Sequence, residues 1–176
     1  MKEGKIAAIV FGTVAVAVSA LVVWAVIAND NNPPDERIGS YATYKTSSSF
    51  VYSGTFTIEI TDINTSTGEV KYTTTWSFRA LGMTDQSGSS EQWTPSTEDR
   101  INNPFASADT IESKGTERIL TKDGQKITNV FLITLPEREA TVWIGADNNT
   151  LYRIEIPMEG VGKVIWNLEN MKIAQL

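Results

Sequence analysis

The sequence predicts a mostly β domain, preceded by one transmembrane α-helix. The domain is expected to be an antiparallel meander of eight or nine strands that forms a half-barrel or sandwich. From Tyr41 onward, apolar and polar residues alternate with a period of two, as in half-buried strands. Short clusters of turn-forming residues separate the alternating stretches. Residues 6–28, ahead of them, form a charge-free apolar run.

The apolar run at 6–28 is long enough to cross a membrane as a helix. Its 23 residues span about 34 Å, and the hydrocarbon core of a bilayer is about 30 Å thick. Lys2 and Lys5 precede the run and acidic residues follow it. The positive-inside bias therefore places the N terminus in the cytoplasm and the C-terminal domain outside the cell. The alternative is a signal peptide cleaved before Asn29. The run exceeds the roughly 7–15 residues of a signal core, which favours a retained single-pass anchor.

Three regions follow from this boundary. Residues 1–28 form the cytoplasmic stub and anchor helix, 29–37 a stalk linker stiffened by two prolines, and 38–176 an extracytoplasmic β domain. The chain has 15 basic and 21 acidic residues, a net charge of -6. The first region holds two basic residues and one acidic residue, so the rest of the chain carries a net -7. An acidic domain repels phosphate backbones, and we expect no nucleic-acid partner.

Two alternating stretches open the β domain. In Phe50–Thr61, the apolar side chains from Phe56 to Ile60 share one face, and threonines and a glutamate share the other. Glu69–Ala80 alternates in the same way. The loop Asn64–Gly68 is expected to join the two stretches as an antiparallel hairpin.

The second half of the domain repeats the alternation. Asp123-Gly124 is a strong signal for a type I′ hairpin, and Asp147-Asn148-Asn149 is a second turn cluster. In the last stretch, the even-numbered positions from Val164 to Leu168 are apolar, and after them the odd-numbered positions Met171 and Ile173 are apolar. We therefore expect an extra residue, a bulge, near Asn170. The expected strands are Thr116–Thr121, Lys126–Leu135, Ala140–Ala146, Leu151–Ile156 and Val164–Ile173.

The segment Leu81–Ser113 lacks this regular pattern. Ser89–Thr94 is a candidate extra strand, and the rest is expected to be irregular. One interpretation is a lid that Trp93 and Phe105 hold over an open barrel mouth. The favoured interpretation is a plain surface excursion pinned by the same two aromatic residues.

The residue inventory excludes most enzyme chemistry. The chain has no cysteine and no histidine, which rules out disulfides, thiolate or histidine metal sites and Ser-His-Asp triads. Glu155 and Glu159 are more simply solvent-face and loop charges than a glycosidase pair. A calcium-binding EF-hand loop starting at Asp147 would need glycine where Tyr152 stands. We therefore expect no catalytic residue, no metal and no cofactor.

Two N-glycosylation sequons fall in expected hairpin turns. They begin at Asn64 and at Asn148, where exposed loops of an external domain are suitable acceptors. Both residues are candidate modification sites. The sequence assigns no ligand-binding residue.

The layout resembles a class of archaeal and bacterial envelope proteins that combine a basic N terminus, one anchor helix, an acidic stalk and an external β domain. Residues 39–44 have the Gly-x-Tyr-x-x-Tyr-like opening of that domain. The run 142–154 is similar to the strand, turn and Leu-x-x-Ile strand of lipoprotein-carrier-like half-barrels. This resemblance implies a curved sheet that holds an apolar ligand, and it implies no catalytic residue. Residues 2–4 loosely resemble the processing site of type IV pilin-like subunits, although Ile9 replaces their glutamate.

Three functions are compatible with these observations. The first is a non-enzymatic binding or structural module displayed at the cell surface, with a protein or apolar partner. The second is a carrier or sensor that binds a lipid-like ligand in a concave sheet. The third is a pilin-like filament subunit.

Overall fold

A computed structural model describes residues 38–48, 52–80, 85–94, 109–135, 138–148, 150–158 and 162–172. The expected anchor at 6–28 and the stalk at 29–37 lie outside these residues. The described ranges contain no helix that is long and apolar enough to cross a membrane. They contain nine strands, at the upper end of the number expected: β1 Tyr41–Ser48, β2 Tyr52–Asn64, β3 Glu69–Ala80, β4 Gln86–Thr94, β5 Thr110–Thr121, β6 Gly124–Leu135, β7 Arg138–Gly145, β8 Leu151–Met158 and β9 Gly162–Lys172.

The nine strands form one antiparallel sheet in the order β4-β3-β2-β1-β9-β8-β7-β6-β5. The first and last strands pair at its centre, where Tyr41 lies opposite Lys172 and Ser48 opposite Val164. The consecutive strands β4 and β5 lie at opposite edges, and the sheet is not closed into a barrel. The sandwich alternative is wrong, because the β1–β9 ladder joins both meanders into a single sheet.

The apolar side chains of one face form the main core, and we call this the core face. Phe56, Ile58 and Ile60 on β2 are at most 2% exposed, as their alternation predicted. Phe56 meets the Trp166 ring edge-to-face, with 5.1 Å between ring centroids. On β1, the Tyr44 hydroxyl donates a hydrogen bond of 3.0 Å to the carbonyl of Leu151 on β8. Both contacts reach over an intervening strand and brace the centre of the sheet.

The expected turns are confirmed between β2 and β3 and between β7 and β8, where Asp147 and Asn148 lie in the turn, and the turn between β5 and β6 is corrected. Asn64 pairs with Glu69, so the β2–β3 loop lies within the expected residues. In the β5–β6 hairpin, Thr121 pairs with Gly124, and the two loop residues are Lys122 and Asp123. Gly124, the first residue of β6, has φ +100°, a backbone conformation that favours glycine. The expected type I′ turn at Asp123-Gly124 is therefore wrong by one residue.

The bulge expected near Asn170 is confirmed. Thr43 pairs with Asn170 and Tyr44 with Leu168, which leaves Glu169 as the extra residue of β9. A second bulge lies in β8. There Trp143 pairs with Arg153 and Ile144 with Leu151, so Tyr152 is the extra residue.

The segment expected to be irregular is partly strand. It contains β4, which includes the candidate strand Ser89–Thr94, and it ends inside β5. Trp93 is 43% exposed on β4, so it does not pin a surface excursion or a lid. Phe105 lies outside the described residues.

Candidate functional site

A cavity of about 160 Å³ lies at one end of the sheet. At this end β1 and β6 begin, β5 and β9 finish, and β7 turns into β8. We call it the turn-end cavity. Its lining combines polar side chains from two hairpin turns with the last residues of β9: Thr121, Lys122, Asp123, Asn148, Thr150, Tyr152, Leu168, Glu169, Asn170 and Met171.

Curling of the sheet brings these residues together. Three strands separate β5 from β9 in the sheet, yet Cα atoms of the two strands approach within 8 Å. β-Bulges increase local twist and bend the strand that carries them. The described strands contain four bulges. Those of β8 and β9 have extra residues, Tyr152 and Glu169, that line the cavity, whereas those of β2 and β5 lie outside the lining. The bulges of β8 and β9 therefore shape the cavity and also supply part of its wall.

Asn148 is the best-fixed polar side chain of the lining. Its Nδ2 donates a hydrogen bond of 2.9 Å to the hydroxyl of Tyr152, and its Oδ1 accepts one of 3.1 Å from the amide of Thr150. A Cβ on Gly145 would lie 2.0 Å from that Oδ1, so glycine is required beside it. The amide and the phenol are thus held in place before any ligand arrives.

The rest of the lining is mixed in charge and polarity. Lys122, Asp123 and Glu169 are exposed at the rim, while Leu168 and Met171 are half-buried. Such a site offers donors and acceptors beside a small apolar surface, which suits recognition of a small polar group. No cluster of three metal-ligating side chains occurs in the described part of the chain.

A second apolar cluster packs behind the cavity, on the face opposite to the core face. It comprises Ile119, Val130, Trp143 and Tyr152, each 7% exposed, with Leu168 against it. The Trp143 indole donates a hydrogen bond of 2.8 Å to Glu117, and the Arg153 guanidinium lies 5.0 Å from the centre of its ring. This cluster supports the Tyr152 ring from behind.

Glu155, which the sequence predicted to be a solvent-face charge, is instead only 9% exposed and lies beside this cluster. Its side chain accepts hydrogen bonds from Arg153 and, at 3.1 Å, from the Lys163 ammonium. These two ion pairs hold the Glu155 carboxylate in place within the sheet. Glu159 lies outside the described residues.

The structure places the two sequon asparagines in different environments. Asn148 is half-buried, and its amide nitrogen is bonded inside the cavity. Asn64 sits at the β2–β3 turn, where its Oδ1 accepts hydrogen bonds from the amides of Ser66 at 3.0 Å and Thr67 at 3.3 Å. The two residues belong to separate turns and do not form one site.

Tyr152 and Glu169 were not singled out from the sequence as binding residues. A usable signal was present for Glu169, because the phase change near Asn170 marks an extra residue in a strand. The same reasoning applies to the run from Leu151 to Ile154, where two apolar core residues stand three apart rather than two. A bulge in a strand is a recognised mark of binding sites.

No protein-family model and no curated protein matches the chain. Solved structures are similar to it. MucB in complex with MucA(peri) has a TM-score of 0.43 and 14% identity, over 80% of this chain and 53% of that one. This chain thus spans about half the length of MucB. A protein described as a lipoprotein from Parabacteroides distasonis has a TM-score of 0.43 and 12% identity, over 78% of this chain and 96% of that one. A LolA superfamily protein from Nitrosomonas europaea has a TM-score of 0.28 and 10% identity, over 89% of this chain and 93% of that one.

Proposed function

We propose that this chain is a membrane-anchored, extracytoplasmic binding module without enzymatic activity, and that it binds a small polar ligand in the turn-end cavity. The observation that carries the proposal is the pair of bulge residues, Tyr152 and Glu169, that meet at the cavity from neighbouring strands. The hydrogen-bonded Asn148 adds a polar group that is already oriented.

The size and lining of the cavity indicate the ligand class. Sites for drug-sized molecules measure about 300–1,000 Å³ and are mostly apolar. The turn-end cavity measures about 160 Å³ and is lined mostly by polar residues. We therefore expect a ligand, or an end group of a ligand, about the size of a monosaccharide, an amino acid or a glycerophosphate.

The lipid-carrier alternative has weaker support. Its expected site is a concave face of the sheet. On the core face, the side chains of Phe56, Trp166 and Tyr44 are at most 1% exposed and contact residues on other strands. An apolar ligand on this face would have to displace these contacts. The filament alternative depends on the N-terminal region, which lies outside the described residues.

The test uses the full chain released from membranes in mild detergent. Saturation-transfer NMR would measure binding of monosaccharides, amino acids and glycerophosphates, and native mass spectrometry would detect ligands retained from the cell. We expect one class to bind. Tyr152→Phe should weaken its binding by about 2- to 10-fold, because it removes one hydrogen-bonding group.

The matched control is Lys114→Gln, on exposed β5 outside the cavity lining, compared with Lys122→Gln at the cavity rim. Lys114→Gln should leave binding unchanged. A chain that binds none of the three classes and retains an apolar adduct would replace this proposal with the carrier. Equal effects of both lysine variants would also contradict the cavity as the site.

A further inference from the structure

The β5–β6 hairpin lies at the end of the sheet where the chain enters from the expected anchor. β1 begins at Tyr41, opposite Lys172 at the end of β9, and the β5–β6 turn belongs to the same end. The stalk at 29–37 has nine residues, which span about 28 Å when extended at about 3.1 Å each. If residues 6–28 cross the membrane, this end of the domain lies within that distance of the lipid surface. We call it the anchor end.

Exposed apolar side chains concentrate at the anchor end. Five large apolar residues are markedly exposed among those described, and four of them lie there. Leu120 is 83% exposed and Ile127 53% exposed, on the two strands of the β5–β6 hairpin. Ile111, 43% exposed, lies at the opposite end of β5. The other two residues at the anchor end are Ile38 and Trp93.

Leu120 and Ile127 form one patch on the hairpin. Leu120 lies opposite Gln125 and Ile127 opposite Arg118, so strand alternation puts both apolar side chains on the same face. This is the core face, because Ile133 lies on it further along β6 and is fully buried. The patch therefore lies on the same face as the core, at the tip of an exposed hairpin, and the polar pair Thr116 and Asn129 separates it from the buried part of that face.

The charges around this patch differ in sign from those of the domain. Arg118, Lys122 and Lys126 accompany Asp123, a local net charge of +2 within a region that carries -7. Apolar side chains flanked by basic residues are typical of segments that insert into the headgroup region of a bilayer. The long stems of lysine and arginine extend such an apolar surface while the charged groups stay in water.

We propose that the tip of the β5–β6 hairpin docks onto the lipid surface that carries the chain's own anchor, with Leu120 and Ile127 inserted among the headgroups. This inference rests on the anchor of the proposed function, and the same hairpin tip also contributes Thr121, Lys122 and Asp123 to the cavity lining. Docking fixes the orientation of the sheet, with the turn-end cavity towards the bilayer and the opposite end of β5 towards the solvent.

Because the chain has no cysteine, single labels can be placed without removing native thiols. Leu120→Cys, Ile127→Cys and the control Ile111→Cys would each carry an environment-sensitive fluorophore. The full chain would be reconstituted into phosphatidylcholine vesicles containing a minor share of phosphatidylglycerol, with and without nitroxide-labelled lipid. We expect the labels at 120 and 127 to shift to the blue and to be quenched by the nitroxide lipid, and the label at 111 to do neither.

Two further variants test the chemistry of docking. Leu120→Asp should shift the docking equilibrium reported by the label at 127 about tenfold or more towards the free state, because an exposed leucine loses its burial in lipid. Lys122→Glu with Lys126→Glu should reduce quenching most at low salt.

The proposal is overturned if the labels at 111, 120 and 127 show the same blue shift and the same quenching. It is also overturned if the chain fails to insert into the vesicles. Shielding at 120 that depends on protein concentration and is not quenched by lipid indicates a contact between copies and also overturns it. A docked domain that binds none of the small ligands contradicts the cavity proposal alone.

Discussion

Tyr44 is the residue whose chemistry depends most on the fold. It is 1% exposed at the centre of the sheet, and its hydroxyl donates to the Leu151 carbonyl. Burial raises the pKa of this phenol above its ordinary value. The folded state therefore keeps Tyr44 neutral at a pH where the unfolded chain loses the proton.

Replacing Tyr44 with phenylalanine should change stability in two ways. Near neutral pH, Tyr44→Phe leaves the Leu151 carbonyl without its donor and should cost about 1–3 kcal/mol in the free energy of unfolding. Because the folded pKa is raised, the stability due to the neutral phenol is complete below about pH 10 and falls as the pH rises further. The variant should therefore lose less stability than the wild type above that pH.

Denaturant unfolding monitored by tryptophan fluorescence from pH 7 to 11 would measure both effects. The control is Tyr41→Phe, on the same strand, where the hydroxyl accepts a hydrogen bond from Asn170 and the ring is only half-buried. A Tyr44→Phe curve parallel to the wild type at every pH would show that the buried phenol does not contribute to alkaline unfolding.

The two sequons should differ in modification if the chain is exported by a cell that glycosylates asparagine. Asn64 should be modified, because its turn is at the surface and its oxygen, not its nitrogen, makes the hydrogen bonds within the turn. Asn148 should not be, because its nitrogen is bonded to Tyr152 in a half-buried position.

Intact-mass analysis before and after enzymatic deglycosylation would measure occupancy at each residue. Ser66→Ala removes the first sequon and should abolish the modification. A glycan on Asn148 of the folded protein would show that the Asn148–Tyr152 contact opens readily.

At the level of the strands, Gly54 allows β2 and β3 to approach closely. A Cβ at this position would lie 2.3 Å from the Ser77 carbonyl oxygen and 2.9 Å from the Phe78 Cα. Both are backbone atoms in the paired strand and cannot move aside alone. Gly54→Ala should therefore destabilise the domain by about 1–3 kcal/mol.

Thermal unfolding followed by circular dichroism would compare Gly54→Ala with Ser53→Ala, the exposed neighbour on the same strand. The control should change the midpoint very little. An unchanged midpoint for Gly54→Ala would mean that the two strands separate without cost and that no close approach is needed there.

Sequence reasoning succeeded where one strand determines its own structure. The faces of β3, and of β2 as far as Ile60, follow from alternation alone, because buried residues recur there at every second position, whereas the bulge at Thr61 moves the next buried residue to Ile63. It succeeded partly at bulges, where the phase change near Asn170 was visible but Tyr152 was not recognised. It failed for the Lys122-Asp123 turn, because Asp123-Gly124 suits either of two turn types that differ by one residue in register.

At the level of the whole molecule, the β1–β9 ladder was beyond local patterns. Nothing in the alternation of Tyr41–Ser48 specifies Gly162–Lys172 as its neighbour, since many apolar strands are equivalent partners. The turn-end cavity was unpredictable for the same reason, because its lining comes from β5, β8, β9 and two turns and depends on how the sheet curls. Strand β9, which follows the other eight described strands along the chain, occupies the centre of the sheet, so the two meanders cannot combine until β9 has been synthesised.

This topology leads to a prediction for a chain cut between β4 and β5. Cleavage at a protease site introduced between Thr94 and Asp109 separates the β1–β4 meander from the β5–β9 meander, and these meet along the β1–β9 ladder at the centre of the sheet. The two fragments should stay together in native buffer, because the ladder and the core contact between Phe56 and Trp166 join them. Size-exclusion chromatography and native mass spectrometry would measure the association.

Thr46→Pro in the central strand β1 should separate the fragments, because proline removes a ladder hydrogen bond there. Ser89→Pro on edge strand β4 should leave the fragments associated. Fragments that separate without any substitution would show that the connection between the edges, and not the central ladder, holds the two halves together.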